Sequence, residues 1–340
     1  MVSRRGFLGG VTASLASGAW ANAPETSPFP VPRPAGLAAR ALPGPEALIA
    51  AAGLGGRVSA AVADARTGTI LEMHDGLLGL PPASVAKAVT CAYGLERLGP
   101  GFRFVTRVVA DGPIRNGRLD GDLWIVGGGD PMFGTDDLAA LVRALAEAGL
   151  REVTGTLRLA TGLLPHVREI DPDQPVEVGY NPSIGALNLN FNRVHFEWVR
   201  ESGGYTVRMD ARSENVRPPV TRMRVEIVER EAPVYTFREA GGREVWTVAR
   251  GALGNGGARW LPVRDPALYA AEVFQVLARS RGIVLDGPRQ GGAPSAGATV
   301  LAEHTSAPLR DILRSMMRFS TNITAECIGL MSTRAGGTNP

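Results

Sequence analysis

The sequence predicts a mixed chain of helices and strands. Three observations carry this: segments of helical periodicity near both ends, a long strand-rich block between them, and turn-forming pairs punctuating all three regions. A short Ala- and Leu-rich helix opens at Pro45-Glu46 and stops at the Gly53 to Gly56 run. Arg57 to Ala65 and Thr69 to Met73 alternate around Arg66-Thr67-Gly68, which reads as a β-hairpin. Pro81-Pro82 ends the next loop, and Ala83 to Leu98 has the composition of a helix closed by Gly99-Pro100.

The texture changes from Phe102 to about Leu261. Val105 to Val109 and Leu119 to Val126 flank Asn116-Gly117, a hairpin-turn signal. Gly127-Gly128-Gly129 follows an apolar strand; without a Lys or a properly spaced third Gly it reads as a tight turn, not a phosphate loop. Leu138, Leu141, Val142 and Leu145 follow at helical spacing. Met223, Val225 and Ile227 then alternate with Arg222, Arg224 and Glu226 as a half-exposed strand. Helices return after this block. Asp265 is an N-cap with Pro266 behind it, Tyr269, Val273, Val276 and Leu277 form the apolar stripe, and Gly282 closes the helix. Leu309, Ile312, Leu313, Met316 and Met317 share the face of the next helix. Ser320-Thr321-Asn322 interrupts, and a last helix begins near Ile323.

Composition narrows the function classes. With 44% hydrophobic and 20% charged residues, the chain is neither a disordered tail nor a membrane bundle. A net charge of +3, spread along the sequence, gives no reason to expect a nucleic-acid partner. Two Cys are too few for a disulfide scaffold, no Cys/His spacing resembles a zinc site, and the four His form no spaced cluster, so no metal or cofactor is expected. Cys91 and Cys327 read as buried, unpaired thiols, a disulfide between them being the alternative. Cys91 is expected two turns beyond Ser84 on one helix face.

Ser3-Arg4-Arg5-Gly6-Phe7-Leu8 and the apolar run to Trp20 read as a secretory signal over residues 1–21, with cleavage after Ala21. The paired Arg resembles a twin-arginine signal, the alternative being a general secretory signal that carries two Arg. The expectation is an exported bacterial protein in the periplasm, with no integral membrane segment after cleavage. Residues 22–46 follow as a Pro- and Ala-rich linker.

The basic residues hold one anomaly. Of 36 Lys and Arg, a single one is Lys, at position 87. Arg stays protonated at ordinary pH, whereas a desolvated Lys can act as a base, so Lys87 marks a place where a neutral amine is useful. Ser84-Val85-Ala86-Lys87 sets a hydroxyl three residues before it, on the same face near a helix start. There the amine can take the Ser84 proton, and the backbone N–H of Ser84 can face an oxyanion.

The flanks of this pair carry a resemblance. Pro82-Ala83-Ser84-Val85-Ala86-Lys87, after Asp64-Ala65-Arg66-Thr67-Gly68, resembles the first box of the serine penicillin-recognising enzymes, and Ser320-Thr321-Asn322 resembles their second. Gly121-Asp122-Leu123, Gly128-Gly129-Asp130-Pro131, Gly185 to Asn192, Asp265-Pro266 and Gly282-Ile283-Val284 resemble the D-alanyl-D-alanine carboxypeptidase/endopeptidase family, peptidase family S13, over about residues 45–332. The resemblance implies a transpeptidase-like α/β (α+β) catalytic domain, an antiparallel sheet flanked by helices. That domain would comprise residues 47–97 plus 263–340, interrupted by a β-rich insertion at 98–262 of two nested domains. It implies Ser84 as nucleophile, Lys87 as base, Ser320 as proton relay, and Asn322 as the group that holds the substrate amide and orients Lys87. The implied partners are peptidoglycan stem peptides and β-lactams.

Two departures stand out. Thr321 occupies a position where the family commonly has Asp. The family's third box, Lys-Thr-Gly, is absent because no Lys follows Lys87, so the chain is expected to lack the remaining strands of the catalytic sheet. Removing one oxyanion donor costs about 2.7–4 kcal/mol of transition-state stabilisation. The rival expectations are therefore a non-catalytic peptidoglycan-binding protein, an incomplete product, or a class A β-lactamase. The last is disfavoured by the 236 positions between Ser84 and Ser320.

Overall fold

A computed structural model describes residues 43–337; the expected signal at 1–21 and nearly all of the expected linker at 22–46 lie outside the described residues. The chain divides into two compact units at Pro81/Pro82. The first holds helix α1 (Pro45–Ala51) and strands β1 (Ala60–Ala63) and β2 (Ile70–His74), which pair antiparallel. Their turn closes on Asp64, whose Oδ1 accepts from the N–H of Arg66 and Thr67.

The second unit begins with a 3₁₀ turn, Ala83–Ala86, that leads into α2 (Lys87–Leu98). This corrects the single helix expected from Ala83. Ala83 is left-handed (φ +46°), so α-helical backbone starts only after it, and Ser84 sits on a tighter turn than Cys91. Next come β3 (Val105–Asp111), β4 (Ile114–Arg115), β5 (Arg118–Leu119) and β6 (Asp122–Val126). Strands β3 and β6 pair as the sequence suggested, while Asn116 and Gly117 (φ +51° and +81°) turn the small β4–β5 hairpin at their far end. α3 (Thr135–Glu147), β7 (Glu152–Val153) and β8 (Leu157–Ala160) complete the segment.

Five strands form one sheet once β15 (Pro288–Gln290) and β16 (Thr299–Thr305) are added, in the order β15-β8-β6-β3-β16. Its period of two is visible in the packing. Val108, Ala110, Leu123, Ile125, Leu157 and Leu159 join the main core with Leu138, Leu141, Val142 and Leu145 of α3, while Val109, Trp124 and Ala160 cluster separately. Two three-stranded sheets fill the middle of the chain. One is β9 (Arg193–Glu201) between β10 (Gly204–Asp210) and β14 (Gly256–Pro262); the other is β13 (Arg243–Ala249) between β11 (Met223–Val228) and β12 (Tyr235–Ala240). α4 (Pro266–Ser280) is capped by Asp265, whose side chain accepts from the Leu268 N–H, and buries Tyr269, Val273 and Phe274 in the main core.

The chain ends in α5 (Leu309–Phe319) and α6 (Asn322–Ala335). Leu309, Ile312, Leu313 and Met316 of α5 pack with Ile328 of α6 and with Cys91 and Leu98 of α2. Another face of α6, through Ile323 and Cys327, packs on Leu164, Ile184 and Ala186. Full burial of such side chains stabilises by about 1.5–3 kcal/mol each, so α6 is clamped between two apolar clusters. α2 crosses α6 at Gly94, where a Cβ would stand 2.8 Å from Ile328 Cγ2. Both cysteines are free, as expected of thiols, but Cys91 is only half-buried; Cys327 is fully buried. No helix among the described residues is long and apolar enough to cross a membrane.

The Gly127-Gly128-Gly129 run is a point of close backbone approach. A Cβ on Gly127 would lie 2.5 Å from the Ala186 carbonyl oxygen, and one on Gly128 2.1 Å from that of Val105. This brings the 183–192 segment against the end of β6, where asparagines tie it down. Asn192 Nδ2 donates to the Ser183 carbonyl and to Asn188 Oδ1, and Asn190 Nδ2 donates to Thr135 Oγ1. Asn190, Phe191 and Asn192 are all left-handed, a conformation that Asn adopts readily and that is strained for Phe.

Candidate active site

Four side chains singled out in the sequence meet in the second unit. Lys87 opens α2 and is 7% exposed, so its stem is packed and its amine has few positions. Its Nζ lies 3.2 Å from Ser84 Oγ and 2.7 Å from Asn322 Oδ1. Ser320 Oγ lies 2.8 Å from Ser84 Oγ on another side. Two hydroxyls, an amine and an amide thus form one hydrogen-bonded group, assembled from residues 236 apart in sequence.

Local backbone aims these groups. Ser320 lies between α5 and α6 in the left-handed region (φ +54°, ψ +39°), and Ala83, just before Ser84, is left-handed as well. Non-glycine residues held there cost about 1–3 kcal/mol each, a cost met by the packing of the helices on either side. Thr321, at the position that departs from the family pattern, donates its Oγ1–H to Thr324 Oγ1 and takes no part in the group around Ser84. Asn322 begins α6; its Nδ2 donates to the Tyr180 carbonyl at 3.0 Å, which leaves its oxygen for Lys87. One turn along α6, desolvation pushes the Glu326 carboxyl above its ordinary range, and the charge of Lys87 opposes the shift.

Beside this group lies a cavity of about 120 Å³, lined by Tyr180, Phe191, Arg193, Phe319, Ser320 and Asn322 among others. The guanidinium of Arg193 stacks over Phe191, and its Nε is buried without a hydrogen-bond partner. A larger cleft, about 620 Å³ around Glu201, Tyr205 and Arg250, lies elsewhere and contains none of the four. Tyr180, Phe191 and Arg193 were not singled out in the sequence. For Tyr180 the contributing atom is a backbone carbonyl, which any residue supplies; Phe191 at least stood inside the Gly185 to Asn192 motif. Among the described residues no group of His, Cys, Asp and Glu could hold a metal ion.

Residues 46–340 match the model of the D-Ala-D-Ala carboxypeptidase 3 (S13) family. The chain belongs to this family. A D-alanyl-D-alanine carboxypeptidase of Actinomadura sp. is 31% identical over 299 residues, covering 83% of this chain and 55% of the relative. This S13 chain therefore spans about half the length of that relative. The crystal structure of penicillin binding protein 4 (dacB) from Haemophilus influenzae superposes with a TM-score of 0.66 at 24% identity, covering 82% of this chain and 63% of the other. The same protein complexed with a β-lactam gives a TM-score of 0.63 at 23% identity, covering 83% and 63%. The S13 chain thus has the penicillin-binding-protein fold, a mixed α/β architecture with several sheets.

Proposed function

We propose that this S13 chain is a serine-type D-Ala-D-Ala carboxypeptidase acting through an acyl-enzyme on Ser84. The carrying observation is the contact of Ser84 Oγ with both Lys87 Nζ and Ser320 Oγ, with Asn322 on the far side of the amine. The Lys87 amine takes the Ser84 hydroxyl proton as Oγ bonds to the carbonyl carbon of a D-Ala peptide bond. The tetrahedral intermediate collapses with cleavage of the C–N bond, and the leaving amine receives its proton through Ser320. A water then adds to the ester, releasing the shortened peptide and restoring Ser84–OH. Asn322 keeps Lys87 in line and has a second N–H for the substrate's amide. The Thr321 departure does not weaken this reading, because that hydroxyl is turned to Thr324.

The substrate class is peptidoglycan stem peptides, with cross-links of the same D-Ala chemistry as a second class, and β-lactams acylate the same serine. Export to the periplasm by a twin-arginine signal at residues 1–21 belongs to this reading. The test is acylation: fluorescent penicillin on the purified chain, resolved on a denaturing gel beside Ser84→Ala. A covalent band lost in the variant is the expected result. A folded chain with no band would overturn the enzymatic reading and favour a peptidoglycan-binding role.

A further inference from the structure

The segment from His166 to Ile184 contains no helix or strand beyond a single bridge between Val167 and Ile184 at its neck, yet it supplies the Tyr180 carbonyl that bonds Asn322. Two buried side chains hold it. Arg264, 2% exposed, donates from Nη1 to the carbonyls of Arg168 (3.2 Å) and Asn181 (2.9 Å) and from Nη2 to that of Val176 (2.8 Å). Arg264 is itself fixed: its N–H donates to the Glu244 carboxyl, and its carbonyl lies 2.9 Å from His166 Nε2. Asn181, 1% exposed, accepts from the N–H of Ile170 and Asp171 and donates to the Asp171 carbonyl.

A carbonyl only accepts, so the Asn322 amide must turn its nitrogen to Tyr180 and its oxygen to Lys87. Were the Tyr180 carbonyl displaced, the Asn322 nitrogen would lose its acceptor, and the bond to Lys87 Nζ alone would be left to orient the amide. We propose that Arg264 and Asn181 are positioning residues for Lys87, acting through the loop that carries the Tyr180 carbonyl and thereby fixes which end of Asn322 faces the amine. The catalytic meaning of this rests on the reading of Lys87 as the base.

The lone lysine supplies the test. Protein grown with lysine carrying ¹³C at Cε gives a single methylene signal, with two inequivalent protons when the side chain is held. Arg264→Gln is expected to merge the two proton shifts and slow penicillin acylation about tenfold or more, as small misplacements of catalytic groups do. Asn181→Asp, which keeps both acceptor contacts, is expected to move both readouts in the same direction by less, and stands in where Arg264→Gln does not fold. Arg222→Gln, in the same cleft but with no bond to the loop, should leave the lysine signal unchanged. A wild-type lysine signal in folded Arg264→Gln or Asn181→Asp overturns the proposal, as does an equal change in Arg222→Gln. Failure of wild type to acylate overturns the reaction instead, and the lysine signal still decides the positioning.

Discussion

A lysine in this setting can do what no arginine can. Lys87 is buried to 7% exposure between a hydroxyl and an amide oxygen, and its neighbours suit a compact amine better than a planar guanidinium. Lys87→Arg puts a permanently protonated guanidinium where the proposed reaction needs an amine that can accept the Ser84 proton. Acylation by fluorescent penicillin should fall about 10²–10⁴-fold, the range expected when a general base is lost. Retention of the wild-type rate would show that another group takes the proton. The four clustered side chains were legible in the sequence, because Ser-x-x-Lys and Ser-x-Asn put specific functional groups at fixed spacing. The Tyr180 carbonyl was not, since main-chain atoms leave no mark on residue identity. Nor were the left-handed conformations of Ala83 and Ser320, which neither residue type favours.

Helices were more legible than sheets. α3, α4 and α5 lie where apolar spacing put them, because one buried face writes its period directly into the sequence. Pairing partners had no such local signature: the parallel match of β11 with β13, and of β6 with β8, depends on contacts distant in the chain. The start of α2 shows the same limit, since composition does not separate a 3₁₀ turn from the first turn of an α-helix. At this scale the crossing of α2 and α6 is the decisive contact. Gly94→Val places side-chain atoms where Ile328 Cγ2 already stands 2.8 Å from a bare Cβ. It should destabilise the fold by about 1–3 kcal/mol, the cost of overpacking. It should also slow acylation in the fraction that remains folded. Thermal unfolding and the gel assay together check this; unchanged values for both would mean that the crossing is not tight.

Across the whole molecule, stability is expected to depend on pH chiefly through two groups outside the hydrogen-bonded cluster at Ser84. Burial pushes the Glu244 carboxyl up to about 7, although it accepts from the N–H of Arg264 and Asp265. A raised folded value means that its contribution is fully present below the ordinary value of 4.5 and is lost as pH rises to about 7. His304 is raised too, chiefly by its bond to buried Asp130, with Asp137 adding to the effect. Its contribution is present below 6.5 and is lost as pH climbs through the folded value. His195 works in the opposite sense, since burial depresses it and makes acid the unfavourable side. Difference curves separate the first two: Glu244→Gln should flatten the fall in melting temperature between pH 4.5 and 7, and His304→Gln the fall above pH 6.5. A parallel offset at every pH would mean that neither group changes its protonation on folding. The glycine crossing has a final consequence, best put as leverage. From Gly94 back to Lys87, and from Ile328 back to Asn322, each helix is an arm of roughly 10 Å, so a tilt of about 5° swings its tip by about 1 Å. That is enough to cost an aligned reaction about a hundredfold. The amine and the amide sit at the tips of a pair of scissors, and one missing methyl group at the pivot sets how far the blades stand apart.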